Sequence, residues 1–151
     1  MSLKERLEED QKAALRSGEQ LRLSVLRLLR SAIHYAEVER GGPLEDDDVL
    51  TVISRQVKQR RESIEEFRKG QRPDLVEKEE AELAILQGYL PAQASREELE
   101  SIAQQVISEV GARGGQDMGK VMPQVMARLR GRADGRLVSQ VVQDLLSRTQ
   151  L

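Results

Sequence analysis

The sequence predicts an all-α protein made of an N-terminal four-helix domain followed by a small C-terminal three-helix domain. Two observations lead to this fold class. Apolar residues recur every three or four positions over most of the 151 residues, which is the period of an amphipathic helix, and no stretch shows the alternation typical of a β-strand. The segment 91–94, Pro-Ala-Gln-Ala, is the one good linker, so we predict domains over residues 1–90 and 95–151.

The first two predicted helices of the N-terminal domain have clear boundaries in the sequence. One begins with a capping box, Ser2 followed by Glu5, and ends at Ser17. The next covers residues 19–39, and its apolar residues occupy roughly half of its circumference, as expected for a central helix. The predicted core face of this second helix comprises Leu21, Val25, Leu26, Leu28, Leu29, Ala32, Ile33, Tyr35 and Ala36.

Two further helices complete this domain. The third begins with Glu45 and three aspartates, whose negative charge suits a helix start, and ends at Lys69. Pro73 fits the first turn of a fourth helix, which we expect to reach Leu90. Charged residues of the two helices are interpreted as solvated faces rather than as acid–base or metal-binding groups. They include Lys58, Arg60, Arg61, Glu62, Glu65, Glu66, Glu77, Glu79, Glu80 and Glu82.

The C-terminal domain begins with a second capping box, Ser95 followed by Glu98, and its first helix ends at Gly111. A sixth helix follows Asp117, but Pro123 lies where a regular helix needs an N–H. We therefore expect this helix to begin effectively near residue 122, with a kink as the alternative. A seventh helix ends the domain.

The turn between the last two helices is rich in arginine and glycine. Gly131 suits the left-handed residue that ends a helix, and Asp134 suits the N-cap of the next one. Guanidinium groups beside the N–H groups of a helix start form an anion site. The pattern also fits an ordinary helical hairpin with a soluble turn, and spacing alone favours that interpretation. The candidate anion-binding residues are Lys120, Arg128, Arg130, Arg132 and Arg136.

The distribution of charge supports a phosphate-binding partner more than the net charge of −2 does. Residues 117–148 hold six Lys/Arg against three Asp/Glu, although the chain lacks the pI above about 9 of a dedicated nucleic-acid module. The aromatic residues Tyr35, Phe67 and Tyr89 form no cluster on which bases could stack. Contact with a folded RNA is therefore expected through phosphates and shape.

Few residues suit catalysis or metal binding. Cysteine is absent and His34 is the single histidine, so we predict no catalytic residue, no metal site and no cofactor. His34 lies with Arg27 and Arg30 on one helix face, and the three are predicted to form a secondary basic patch. The stretch 114–120 resembles a phosphate-binding loop, but Val121 replaces the hydroxyl residue and no strand precedes it.

Hydropathy excludes a membrane-spanning helix. No apolar run approaches the roughly 18 residues that such a helix requires, and the first twelve residues are charged rather than signal-like. We expect a cytoplasmic protein with no membrane partner.

Several stretches resemble the GatB/YqeY family over nearly the whole chain. Residues 117–122 (DMGKVM) and 131–139 (GRADGRLVS) resemble its most specific C-terminal signatures. The matching N-terminal stretches are LRLLRSAI at 26–33, EVER at 37–40, QVKQRRESI at 56–64 and YLP at 89–91, and they resemble the free-standing YqeY proteins.

This resemblance implies an all-helical, two-domain protein whose C-terminal domain is similar to the tail of the B subunit of the glutamine-dependent tRNA amidotransferase. That tail helps to hold the tRNA and makes no bond itself. By matching motif, the five candidate anion-binding residues would contact tRNA. Pro123 falls where the family would have a small residue, so the start of that helix is expected to differ. The kinase-like catalytic domain of the amidotransferase is missing from the sequence.

The predicted function is therefore a non-catalytic module that binds structured RNA, with tRNA as the first candidate. The alternative is a protein–protein adaptor, with a protein partner bound through the N-terminal bundle. A third reading is a component of a carbon–nitrogen ligase with glutamine as amido-N-donor, which rests on inheritance of the family label alone. The RNA hypothesis fails if the guanidinium groups point apart or are each held by carboxylates of their own chain.

Overall fold

The computed structural model describes residues 1–149. These residues form seven α-helices and a short 3-10 helix, with no strand among them, so the all-α prediction is confirmed for this part of the chain. The chain divides into two compact units, Met1–Leu90 and Pro91–Leu151. The α-helices are α1 (Leu3–Ser17), α2 (Gln20–Arg40), α3 (Asp46–Lys69), α4 (Pro73–Gln87), α5 (Arg96–Val110), α6 (Met118–Arg128) and α7 (Gly135–Thr149).

The unit Met1–Leu90 is organised around α2, which packs against α1, α3 and α4. Leu26 and Leu29 of α2 are fully buried, as are Leu7 of α1, Ile53 of α3 and Leu86 of α4. Burying each such side chain stabilises the fold by about 1.5–3 kcal/mol. The apolar periodicity of the sequence therefore corresponds to a core shared by four helices.

The predicted core face of α2 is too wide. Leu28 is 56% exposed and Tyr35 is 67% exposed, although both were assigned to the core by periodicity. The three neighbouring helices cover one continuous arc of α2, which contains Leu26, Leu29 and Ile33. Leu28 and Tyr35 lie outside this arc, so the prediction of burial is wrong for these two residues.

An ion pair joins α3 to α4 below the surface. Glu82 is the one charged residue that is buried in the described part of the chain, and it pairs with Arg60. Arg60 also lies 3.1 Å from a carboxylate oxygen of Glu79. The interpretation of these residues as a solvated face is wrong, because the close packing of α3 and α4 encloses them.

Tyr89 joins the segment after α4 to α1. Its hydroxyl donates to Asp10 at 2.6 Å, and the guanidinium of Arg6 lies 4.7 Å from the ring centroid. Burial, followed by the bond to Asp10, raises the pKa of Tyr89 to about 12. Helix α4 ends at Gln87, three residues before the predicted end, because the chain turns there to bring Tyr89 into the core.

The unit Pro91–Leu151 has its own core, formed by α5, α6 and α7. Helix α6 begins at Met118 and contains Pro123, so the predicted start near residue 122 is wrong. Val121 is fully buried and Met118 packs against the core. Proline removes one backbone hydrogen bond, and burial of these two side chains in the first turn outweighs that loss.

Candidate nucleic-acid interface

The corner between α6 and α7 is fixed by a buried side chain and a helix cap. Leu129 follows the last residue of α6 and is fully buried, and its N–H donates to the carbonyl of Val125 at 3.0 Å. Gly131 has φ 73°, a left-handed conformation that glycine adopts without strain. The carboxylate of Asp134 accepts the backbone N–H of Arg136 at 3.1 Å, as the predicted N-cap requires.

Arg132 binds the segment that was predicted as a linker. Its Nε donates to the carbonyl of Ala92 at 3.0 Å, and its Nη2 donates to Glu98 at 2.8 Å. The carbonyl of Arg132 also accepts the N–H of Ala94 at 2.7 Å. Arg132 therefore holds residues 92–94 against the α6–α7 corner, and its guanidinium already has two partners.

The other candidate residues differ in their surroundings. Arg128 pairs with Glu109 of α5, and Arg130 is exposed and interacts with other groups of the chain. Arg136 is exposed, and its side chain forms no ion pair within the described residues. Four arginines therefore lie in or beside the α6–α7 turn, and two of them are paired with carboxylates of α5.

Lys120 does not belong to this corner. It lies eight residues before Arg128 on α6, which corresponds to roughly 12 Å along the helix axis. Its ammonium group is 3.7 Å from the carboxylate of Asp117.

The basic excess seen in the sequence is largely offset in three dimensions. Residues 91–151 hold eight Lys/Arg and seven Asp/Glu. The carboxylates that oppose the corner, Glu98 and Glu109, lie on α5 and therefore outside the window in which the excess was counted. The corner is less positive than its own sequence predicts.

The secondary basic patch lies along a groove of the N-terminal unit. Arg27, Arg30 and His34 are exposed and line a groove of about 920 Å³ between α1, α2 and the start of α3. Arg30 donates to the side-chain oxygen of Gln11 at 2.7 Å. The structure therefore brings these three residues to one surface.

Acidic groups also line this groove. Glu37 accepts hydrogen bonds from the ammonium of Lys4 and from the N–H of Leu44. Both bonds hold the pKa of Glu37 below its ordinary value, and the bond from Lys4 has the larger effect. Glu45 and Asp46 line the groove nearby. Glu5 and Glu8 of α1 line the groove as well, so its carboxylates come from three helices, whereas Arg27, Arg30 and His34 all lie on α2.

Neither a membrane-spanning helix nor a metal-binding cluster occurs within residues 1–149. None of the helices described there combines the length and the hydropathy needed to cross a membrane. The same residues contain no group of three or more His, Asp or Glu side chains arranged to hold a metal ion.

Comparison with known proteins identifies relatives. The family model described as "Yqey-like protein" matches residues 4–146. An uncharacterized protein of Schizosaccharomyces pombe is 42% identical over 72 residues, which are 48% of this chain and 58% of the relative. A Pyrenophora tritici-repentis protein named "Altered inheritance of mitochondria protein 41, mitochondrial" is 42% identical over 85 residues, covering 56% of this chain and 46% of the relative.

A protein with the same name from Lachancea thermotolerans is 35% identical over 108 residues, covering 69% of this chain and 57% of the relative. The chain spans about half the length of the curated relatives that it matches. Their names overturn the cytoplasmic prediction, which is wrong.

The family match covers almost the entire chain, from the second residue of α1 to the last turn of α7. It includes both the N-terminal and the C-terminal stretches on which the GatB/YqeY resemblance rests. That prediction is confirmed, and the chain belongs to the family of YqeY-like proteins.

Proposed function

We propose that this YqeY-like chain is a non-catalytic helical module whose C-terminal unit binds structured RNA, with tRNA as the first candidate. The observation that carries the proposal is the cluster of four arginines within nine residues at the capped α6–α7 corner. Guanidinium groups suit phosphate oxygens, and because Asp134 already accepts the N–H of Arg136, the arginines rather than the start of α7 would bind the phosphate. The resemblance of the same residues to the tRNA-holding tail of the amidotransferase B subunit points to the same ligand.

The ion pairs at the corner set the expected strength of this binding. Arg128 is 37% exposed and its partner Glu109 is 54% exposed, so water screens the pair. Exposed pairs of this kind contribute about 0–1 kcal/mol, so a phosphate can displace the carboxylate at modest cost. We therefore expect weak, salt-sensitive binding in which Arg128, Arg130 and Arg136 contribute more than Arg132 does.

A tRNA titration at several salt concentrations tests the proposal. The variant Arg128→Gln/Arg130→Gln/Arg136→Gln is expected to bind at least about tenfold more weakly, because each lost phosphate contact reduces the slope of log K against log salt by about one. Arg132 is left intact because it holds residues 92–94. The control Arg113→Gln/Arg148→Gln removes two positive charges elsewhere in the same unit, since Arg148 lies roughly 18 Å along α7 from Arg136. An equal loss of affinity per charge removed in the two variants would contradict a site at the corner.

Removal of the competing carboxylate gives a second test, in which the affinity for tRNA is expected to rise rather than fall. Glu109→Gln leaves Arg128 without its partner, so we expect tRNA affinity to rise by about two- to fivefold, the worth of an exposed ion pair. The control Glu97→Gln changes the net charge equally but removes an exposed carboxylate that takes no part in the ion pairs of Arg128 and Arg132. If both variants bind alike, net charge rather than Arg128 controls the affinity.

A protein–protein adaptor is the second candidate function, and one observation favours it. Leu28, Tyr35 and Val38 of α2 are between 56% and 67% exposed, although all three are large and apolar. Grouped apolar residues on a surface are typical of a site for another macromolecule.

A further inference from the structure

Half of the large apolar residues that are exposed in the described part of the chain lie on one face of α2. Leu28, Tyr35 and Val38 follow one another at spacings of seven and three, which place them on the same side of a helix. Extended in both directions, the spacing alternates between three and four residues. We call this stripe the α2 seam, and it consists of Leu21, Ser24, Leu28, Ser31, Tyr35 and Val38.

The composition of the α2 seam suits contact with a second helix. Alternating spacings of three and four are those of a coiled-coil contact, in which the side chains of one helix fit between those of the other. Ser24 and Ser31 are exposed and small, so they leave room on either side of Leu28 for the large side chains of a partner. The seam therefore has the projections and gaps that a helical partner requires.

The charged residues beside the α2 seam indicate which charge a partner would carry on its flank. Arg27 and His34 lie seven residues apart on the groove side of the seam, with Arg30 nearby. Arg27 is exposed and forms no ion pair within residues 1–149. Carboxylates on the facing flank of a partner helix would complement these groups, and such complementarity steers and orients association.

We propose that the α2 seam is the docking site for an amphipathic helix of another protein. The apolar stripe of that helix packs against Leu28, Tyr35 and Val38, and a row of carboxylates on its flank faces Arg27 and His34. The inference rests on the adaptor role and does not depend on RNA binding by the C-terminal unit.

A second copy of this chain fits the α2 seam less well. The seam spans eighteen residues, or roughly 27 Å, and a contact about 10 Å wide covers roughly 300 Å² of each copy. A stable interface buries about 800 Å² per partner. Antiparallel pairing of two α2 helices would also bring the Arg27 and His34 flanks of both copies together. The seam offers the same area to any helix, so charge decides between the occupants and favours a single helix with an acidic flank, weakly bound along the seam in a common mode of peptide recognition.

The test uses the full chain and two fluorescent helical peptides of eighteen residues. Both peptides carry leucines at alternating spacings of three and four, and their flanking positions are glutamate in one and lysine in the other. We expect the glutamate peptide to bind at least about tenfold more tightly. Leu28→Ser/Tyr35→Ser is expected to weaken its binding at least about tenfold, because the apolar contact is lost. Arg27→Glu should reverse the preference between the two peptides.

Controls separate docking from folding and from RNA binding. Leu137→Ser removes an apolar side chain that is 36% exposed on α7, and peptide binding should be unchanged. Circular dichroism should give unchanged melting for the seam variants, since their side chains are exposed. Their tRNA binding should also be unchanged, so failure of one proposal is distinguishable from failure of the other.

Three results would overturn the proposal. The first is absence of binding by both peptides at millimolar concentration. The second is equal binding of the two peptides, which would exclude recognition of the acidic flank. The third is self-association in sedimentation that Leu28→Ser abolishes, which would make a second copy of this chain the occupant of the seam.

Discussion

Replacement of Arg60 by methionine is expected to lower the free energy of unfolding by about 3 kcal/mol, as measured by urea denaturation. Arg60 of α3 is 15% exposed and pairs with Glu82, whose side chain is 9% exposed, and with Glu79. Without the guanidinium, two enclosed carboxylates face each other with no cation between them. An uncompensated buried charge costs more than the pair contributes, so the loss exceeds that for any exposed arginine.

The reason for the loss can be tested with a matched control and a double replacement. Arg55→Met makes the same change on the exposed side of α3 and should alter stability by less than about 0.5 kcal/mol. Arg60→Met/Glu82→Leu removes both members of the buried pair and should recover most of the lost stability, because apolar residues often replace such pairs without cost. A double variant as unstable as Arg60→Met would show that packing by the arginine stem, rather than the unpaired carboxylate, is responsible.

Local features of the fold could be predicted from the sequence because they depend on residues within four positions of each other. The hydroxyls of Ser2 and Ser95 accept the N–H groups of Glu5 and Glu98, each at 3.1 Å, as the capping boxes predict. The cap at Asp134 is equally local. Such signals fix where helices begin, whatever the helices later pack against.

Pairings between distant residues could not be predicted in the same way. Arg60 meets Glu82 across twenty-two positions, Arg128 meets Glu109 across nineteen, and Arg132 reaches Ala92 across forty. Each pairing depends on which helices become neighbours. This is why the candidate RNA-binding arginines were identified at the corner but their carboxylate partners were not.

The α2 seam was missed because a single sequence does not distinguish apolar residues that are buried from those that are exposed. The apolar stripe predicted over half of α2 included residues inside the covered arc and residues outside it. One signal was present in the sequence: Ser24 and Ser31 share a face with Leu28 and Tyr35. Polar residues recur less often on a face that is wholly buried, so this mixture indicates a surface.

The substitution Leu129→Ala is expected to cost the C-terminal unit most of its stability. Leu129 is fully buried at the end of α6, in the core that α5, α6 and α7 share. Removing a buried leucine side chain costs about 2–5 kcal/mol. A single core of roughly sixty residues supplies only about 3–5 kcal/mol, so the substitution brings the unit near its unfolding midpoint. We propose that this unit unfolds as a separate domain, as the predicted boundary requires.

Amide hydrogen exchange on the full chain measures this outcome element by element. Protection in α5, α6 and α7 should fall by about a hundredfold or more, since each 1.4 kcal/mol corresponds to a factor of ten, while α1 to α4 keep theirs. Leu137→Ala makes the same change at a side chain that is 36% exposed and should have little effect. Equal loss of protection in both units would contradict the domain proposal, because the buried core around Leu129 would then stabilise the whole chain as one cooperative structure.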